Sequence, residues 1–251
     1  MAKPQEPFFL GWGKVPKALR MFLAYCAAFL VIGFGGLSYL TASTQTDTGS
    51  GAFMGQTRVT GVLQEYPYPV LHVIDSPHFE RGDTILLSGN GKSGAVGQAA
   101  GMDGQIVEAR GFRMDRGDLH GMQLRGGKNG LRPAEDQDQN LDVNIEKLGR
   151  WKLSGEICDG KCLTGAMRPG TGLAHRACAN LCLLGDVAPV FVSSGPVDGS
   201  EFFLISDENG EAVTKELLDY TAIYVEVEGD VERHGGMLVF KISPDTIKVA
   251  K

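Results

Sequence analysis

An unbroken apolar run near the amino terminus is the strongest feature of the hydrophobic pattern. Residues 21–40 contain no charged residue and no proline, and about twenty apolar residues in a helix cross the roughly 30 Å core of a bilayer. The preceding segment holds four basic residues against one acidic residue, and such positive flanks stay on the cytoplasmic side. We therefore predict a cytoplasmic amino terminus at 1–20, a transmembrane helix at 21–40 and an exported remainder.

A cleaved signal peptide is the alternative for this segment. Thr41-Ala42-Ser43 offers small residues for cleavage, although the apolar core of a signal peptide usually has only about 7 to 15 residues. Both interpretations place residues 44–251 outside the cytoplasm. The anchor interpretation predicts a single-pass protein of the cell inner membrane whose carboxyl-terminal part is periplasmic. Gly, Ser, Thr and Gln in residues 41–57 predict a flexible tether.

Beyond the tether, apolar and polar residues alternate in short strands that form two similar series. Each series contains a Val-Glu-x-x-Gly segment, ending at Gly111 and Gly229, and then a His-Gly pair at His120 and His234. Ordered correspondences of this kind indicate an internal repeat. The predicted strands lie near residues 58–64, 70–74, 84–88, 106–114 and 122–124 in the first copy, and near 151–157, 189–194, 202–206, 223–231 and 237–242 in the second.

Five strands with a short helical segment between the third and the fourth are similar in element order to the OB-fold. We therefore predict a mainly β protein with two OB-fold-like five-stranded β-barrel domains, at 58–126 and 150–251, after the transmembrane helix. Residues 127–149 are rich in Gly, Asp and Gln and predict a linker.

Four of the five cysteines and one of the five histidines fall within 25 residues of the second copy. They lie in an insertion at 158–188 between the first two strands, close to the usual ligand face of an OB-fold. Residues 173–184 predict a helix that ends before Gly185, and positions i, i+3 and i+7 of a helix share one face. The clustered residues are Cys158, Cys162, His175, Cys178 and Cys182.

Three interpretations of this cluster are open. In an oxidising compartment, four cysteines in a glycine-rich loop favour two disulfides that bridge Cys158 or Cys162 to Cys178 or Cys182. Alternatively, the thiolates and His175 bind copper or zinc, because soft sulfur ligands suit Cu(I) and Zn(II). A redox-active thiol is the third interpretation, although the chain lacks a Cys-x-x-Cys motif.

Other motifs predict structure rather than chemistry. Gly89-Asn90-Gly91-Lys92-Ser93 lacks the first glycine of a phosphate-binding loop, where Leu86 stands, and we predict a hairpin or loop there. His72 and His78 lie near several acidic residues, and we predict exposed loop positions for both. His120 and His234 are predicted at hairpin tips.

Charge narrows the choice of partners. Residues 41–251 carry 20 basic and 29 acidic residues, which argues against nucleic acid as a partner. No nucleophile is paired with a base and no cofactor motif is complete, so the chain shows no sign of being an enzyme. We expect a non-catalytic binding or accessory subunit of a membrane protein complex, with a disulfide-stapled loop that presents Met167, Arg168 and Leu173. The alternative is a protein that handles copper or zinc, or a thiol-redox assembly protein.

Overall fold

The computed structural model describes residues 15–44, 48–137, 141–213 and 215–250. The chain divides into two compact units, at 1–46 and 47–251. Helix α1 (Arg20–Thr44) lies in the first unit, and the segment Lys17–Ser43 is long and apolar enough to cross a membrane. A signal sequence meets the same criteria of length and composition. The predicted apolar helix is therefore confirmed, and it continues four residues beyond position 40.

The second unit begins with a six-stranded sheet. Its strands are β1 (Ala52–Gln64), β2 (Val70–Asp75), β3 (Thr84–Ser88), β4 (Ile106–Arg116), β5 (Leu119–Leu124) and β6 (Leu131–Pro133). Strand β1 pairs antiparallel with both β2 and β4, and β3 pairs parallel with β5. The resulting order is β1-β2-β3-β5-β4-β6, with the short helix α2 (Val96–Ala99) between β3 and β4.

A second six-stranded sheet repeats these pairings. Its strands are β7 (Ile145–Asp159), β8 (Pro189–Val197), β9 (Ser200–Asp207), β10 (Tyr224–His234), β11 (Met237–Ile242) and β12 (Lys248–Val249). Strand β7 pairs with both β8 and β10, and β9 pairs parallel with β11. The mainly β fold is confirmed. The prediction of five strands for each sheet was one too few. The strands that it missed, β6 and β12, are only three and two residues long.

The Val-Glu-x-x-Gly segments lie at equivalent places in the two sheets. In β10 the buried positions alternate as Val225, Val227 and Gly229, which is the period of a strand with one buried face. A Cβ atom at Gly111 would lie 2.2 Å from the carbonyl oxygen of Gln123, and one at Gly229 would lie 2.4 Å from that of Lys241. Both glycines are therefore required because a neighbouring strand passes too closely for any side chain.

Three large apolar clusters, and a small one around Cys162 and Cys182, lie in the described part of the second unit. One belongs to the first sheet and one to the second. A third draws on both sheets, since Tyr68 and Leu86 pack there with Val190, Phe202 and Val239. Burial of apolar surface stabilises a fold by roughly 25 cal/mol per Å². The third cluster therefore favours the packing of the two sheets against each other within one unit.

Three further predictions from the sequence differ from the structure. The stretch predicted as a tether at 41–57 overlaps secondary structure at both ends, because α1 continues to Thr44 and β1 begins at Ala52, and residues 45–47 lie outside the described part of the chain. The stretch predicted as a linker contains β6 and the start of β7, and residues 138–140 lie outside the described part of the chain. His72 is buried in β2 rather than exposed in a loop, whereas His78 is exposed.

A thiol-rich candidate metal centre

The insertion between β7 and β8 folds back on itself through a tight turn and a short helix. A π turn (Cys162–Ala166) follows β7, and helix α3 (Arg176–Leu183) follows a single 3-10 turn. Gly170 has a φ of +73°, and a Cβ atom there would lie 2.6 Å from the carbonyl oxygen of Cys162. Only glycine fits this position, and the close approach packs the segment around Gly170 against the turn that carries Cys162.

Three of the four clustered cysteines converge. The Sγ atoms of Cys162, Cys178 and Cys182 all lie within 4.8 Å of one another. Cys178 and Cys182 are one helical turn apart on α3 and share a face, as predicted, and Cys162 approaches them from the π turn. Cys162 and Cys182 are buried with Val187, and Cys178 is partly exposed.

The predicted pair of disulfides is absent from the structure. All five cysteines lie among the described residues, and all five are free. Cys158 packs in a different apolar cluster, with Val190 and Leu204, and its thiol donates to a carboxylate oxygen of Glu156 at 3.3 Å. Because Cys158 faces another part of the core, only three of the four thiols lie close together. Three thiols cannot form two disulfides, so the predicted pair of bridges has no geometric basis.

His175 does not join the three thiols but pairs with a buried carboxylate. Its Nε2 lies 2.9 Å from Oδ2 of Asp159, and both side chains are almost completely buried. The other carboxylate oxygen of Asp159 accepts the backbone N–H of Cys162 at 2.8 Å. Asp159, Cys162 and His175 form a second set of potential ligand atoms within 4.8 Å of one another. Asp159 therefore joins the start of α3 to the turn that carries Cys162.

A loop of the first sheet supplies a lysine to this cluster. Nζ of Lys92 donates a hydrogen bond to Sγ of Cys178 at 2.7 Å and lies 4.0 Å from Sγ of Cys182. The backbone of the loop packs tightly on the insertion, since the N–H of Gly94 donates to the carbonyl oxygen of Gly185 at 2.6 Å. A Cβ atom at Gly94 would lie 1.8 Å from the carbonyl oxygen of Asp186. The segment at 89–93, which resembles part of a phosphate-binding loop, thus packs on the insertion and positions Lys92 beside the thiols.

Lys161 fastens the same loop from the other side. Its side chain is buried, and Nζ donates to the carbonyl oxygens of Gly89 and Gly91 at 2.7 Å each. Burial lowers the pKa of Lys161, although the thiols of Cys182 and Cys162 act against this effect. Both lysines thus place positive charge near the sulfur atoms. Lys92 contacts the thiol of Cys178, whereas Lys161 contacts the backbone of the loop that carries Lys92.

Electrostatics shift the pKa values of Cys182 and Cys162 in opposite directions. A hydrogen bond from Cys162 lowers the pKa of the Cys182 thiol, with the charge of Lys92 adding to the effect. The same hydrogen bond, together with burial, raises the pKa of Cys162, and the hydrogen bond to Cys178 raises the pKa of Lys92. Burial raises the pKa of Cys158 as well. Cys182 is therefore more acidic than Cys162 and Cys158, and a hydrogen bond from the thiol of Cys162 stabilises its thiolate.

The three residues predicted to contact a partner, Met167, Arg168 and Leu173, are all exposed. Met167 is 44% exposed and Leu173 is 69% exposed. Arg168 also donates a hydrogen bond to the backbone, from its Nη2 to the carbonyl oxygen of Gly51 at 3.3 Å. Met167 also accepts a hydrogen bond from the thiol of Cys178, with 3.5 Å between the two sulfur atoms.

Comparison of the chain with protein-family models, with curated proteins and with solved structures found no match. The function is therefore argued from the site itself. Sequence reasoning identified the thiols but missed Lys92 and Asp159. Asp159 lies between Cys158 and Cys162, and this position between two potential ligands could have identified it as part of the site. No local sequence pattern around Lys92 connects it with Cys178, which lies 86 positions away.

Proposed function

We propose that Cys162, Cys178 and Cys182 bind a soft metal ion, with Cu(I) as the preferred ion, in an exported domain anchored to the inner membrane. The observation that carries this proposal is the convergence of three thiols within 4.8 Å. Tetrahedral coordination with metal–sulfur bonds of about 2.3 Å requires sulfur atoms about 3.8 Å apart. Small movements of the side chains would therefore close the three sulfur atoms around one ion.

The surrounding charges support an anionic metal–thiolate centre. Three thiolates and one Cu(I) ion carry a net charge of −2, and a buried charge of this size requires compensation. Lys92 lies in contact with Cys178, and Lys161 is buried beside the cluster. The buried bond between Asp159 and the backbone of Cys162 holds the turn in place when the metal is absent. Such supporting contacts orient metal ligands.

One side of the cluster is open, which favours exchange of the metal over a purely structural role. Structural zinc sites close four protein ligands around the ion, whereas sites that react or transfer keep a position open. Cys162 and Cys182 are buried, but Cys178 is partly exposed and Met167 beside it is exposed. We infer that the ion is loaded or delivered from this side.

Helix α1 supports the proposed location of the protein, and the strand pairings support its proposed fold. An apolar helix preceded by basic residues supports a single-pass anchor with residues 47–251 in the periplasm. The recurrence of β1-β2-β3-β5-β4 pairings in both sheets supports two OB-fold-like barrels. In this setting the site would supply copper to a membrane enzyme during its assembly.

A non-catalytic accessory subunit remains the second candidate, and exposed apolar side chains favour it. Leu173, Leu181 and Leu184 are each more than half exposed along the insertion. Surface leucines grouped in this way can form part of a contact surface. In this alternative the loop holds a partner protein and the thiols serve only packing.

Metal binding separates the two candidates. The reduced chain should be mixed with Cu(I) under anaerobic conditions, and its affinity measured by competition with a chromogenic chelator. We expect one equivalent of Cu(I) to bind, and replacement of any one of the three converging cysteines by Ser to weaken binding by at least about tenfold. Cys158→Ser is the matched control, because that thiol lies outside the cluster, and it should leave the affinity unchanged. Equal affinities for all four variants would contradict the proposal.

A further inference from the structure

The Met167 thioether is placed to complete the coordination of the ion, and we propose that Met167 is the fourth sulfur ligand and makes the site selective for Cu(I) over Zn(II). This inference rests on the proposed metal site. It starts from the 3.5 Å distance between Sδ of Met167 and Sγ of Cys178. Two sulfur atoms at this separation can bind one ion, because ligands of a tetrahedral site lie about 3.8 Å apart.

The other nearby donor groups are engaged elsewhere. His175 is buried against Asp159, and Cys158 faces a different part of the core. Lys92 carries a positive charge that its contact with Cys178 stabilises, and an ammonium group has no lone pair for a metal. Among the described residues near the thiols, Met167 is an exposed residue whose sulfur atom already contacts one of the converging thiols, that of Cys178.

The chemistry of a thioether gives this ligand its selectivity. A methionine sulfur is neutral and soft, and it suits Cu(I). Protein zinc sites use cysteine, histidine and carboxylate ligands instead. Loss of Met167 should therefore weaken Cu(I) binding while leaving Zn(II) binding almost unchanged. A ligand that is neutral and exposed would also leave the ion more easily than a buried thiolate, which suits transfer to a partner.

Selenium labelling tests this ligand directly. The chain contains 8 methionines, and replacing all of them by selenomethionine puts selenium at Met167. In X-ray absorption spectra of the Cu(I)-loaded protein, we expect copper–sulfur scattering together with one copper–selenium path. Met167→Leu should remove the selenium path and lower the Cu(I) affinity by about tenfold, the loss of one modest ligand interaction.

Met54→Leu is the matched control for this variant. Like Met167, Met54 is exposed and its sulfur accepts a hydrogen bond, in this case from Nη2 of Arg113 at 2.7 Å. Met54 lies outside the cysteine cluster. Met54→Leu should keep the selenium path and the affinity. Copper bound by three sulfur atoms without any selenium path would overturn the role of Met167 and leave the proposed metal site intact. Failure of the wild-type protein to bind copper would overturn both.

Discussion

The ammonium group of Lys92 lies 2.7 Å from the sulfur of Cys178, although 86 positions separate the two residues along the chain. Lys92 belongs to the loop after β3 in the first sheet, and Cys178 belongs to the insertion of the second sheet. The site is therefore assembled from both sheets. Its charge balance depends on how those sheets pack, and substitutions at the loop and at the insertion should affect the thiols jointly.

Removal of the Lys92 charge should make the thiol of Cys182 less acidic. The charge of Lys92 lowers the pKa of Cys182, so Lys92→Met should raise that pKa and reduce the thiolate fraction at neutral pH several-fold. The ultraviolet absorbance of thiolates, titrated in the metal-free protein, measures this change. Lys152→Met is the control, because Lys152 pairs with Glu226 on the second sheet. Identical titrations of wild type and Lys92→Met would rule out the electrostatic role of Lys92.

A side chain at Gly94 should separate the loop from the insertion. The added Cβ atom would lie 1.8 Å from the carbonyl oxygen of Asp186, and forced overpacking of this kind costs about 1–3 kcal/mol. Gly94→Ala should therefore lower the free energy of unfolding in urea by about that amount. Gly97→Ala is the control, since open space surrounds that position. Equal stability of the two variants would mean that the loop adjusts without loss.

Asp159 should contribute strongly to stability although it is not among the three converging ligands. Asp159→Ala leaves His175 and the amide of Cys162 without their buried acceptor, and leaving a buried donor without a partner costs about 1–3 kcal/mol for each group. The exposed pair of Asp198 and Arg233 offers a contrast, since exposed pairs contribute about 0–1 kcal/mol. Chemical denaturation of Asp159→Ala and Asp198→Ala measures the difference. Similar losses in both would argue against the buried bridge.

The elements of the fold were more predictable than the partners within the site. Strand alternation in β10 and the apolar run of α1 are local patterns, and a local pattern is visible in one sequence. The helix carrying Cys178 and Cys182 was predicted at 173–184 and is found at Arg176–Leu183 after a 3-10 turn. The short strands β6 and β12 lack a period long enough to recognise.

The pairing of groups across the chain was not predictable in this way. Cys158 has the same residue type and spacing as the other cysteines, yet it ends in the core beside Val190 because strand β7 continues to Asp159. The direction of a side chain at the end of a strand depends on the strand's last residues, and a shift of one position reverses it. The disulfide prediction failed at this point. Lys92 was missed because its contact depends on tertiary packing alone.

His72 should make the stability of the second unit depend on pH. The imidazole is buried in β2, where Nδ1 bonds to Oγ1 of Thr84 at 2.9 Å and Nε2 to Oε1 of Gln64 at 3.1 Å. Burial, with a further contribution from the nearby His234, lowers the pKa of His72 from 6.5 to about 4. The unfolded chain therefore binds a proton at a higher pH than the folded chain does.

The sign of the effect follows from this difference in proton binding. Above about pH 6.5 both states hold a neutral His72, and the full stability is present. As the pH falls from 6.5 towards 4, the unfolded state takes up a proton first, so stability should fall by up to about 3 kcal/mol. Urea denaturation at pH 7 and pH 4.5 measures the loss. His72→Gln should remove most of this pH dependence, whereas His78→Gln, at an exposed position, should retain it. A wild-type stability that stays constant between these pH values would show that His72 is protonated as readily in the folded protein as in the unfolded chain.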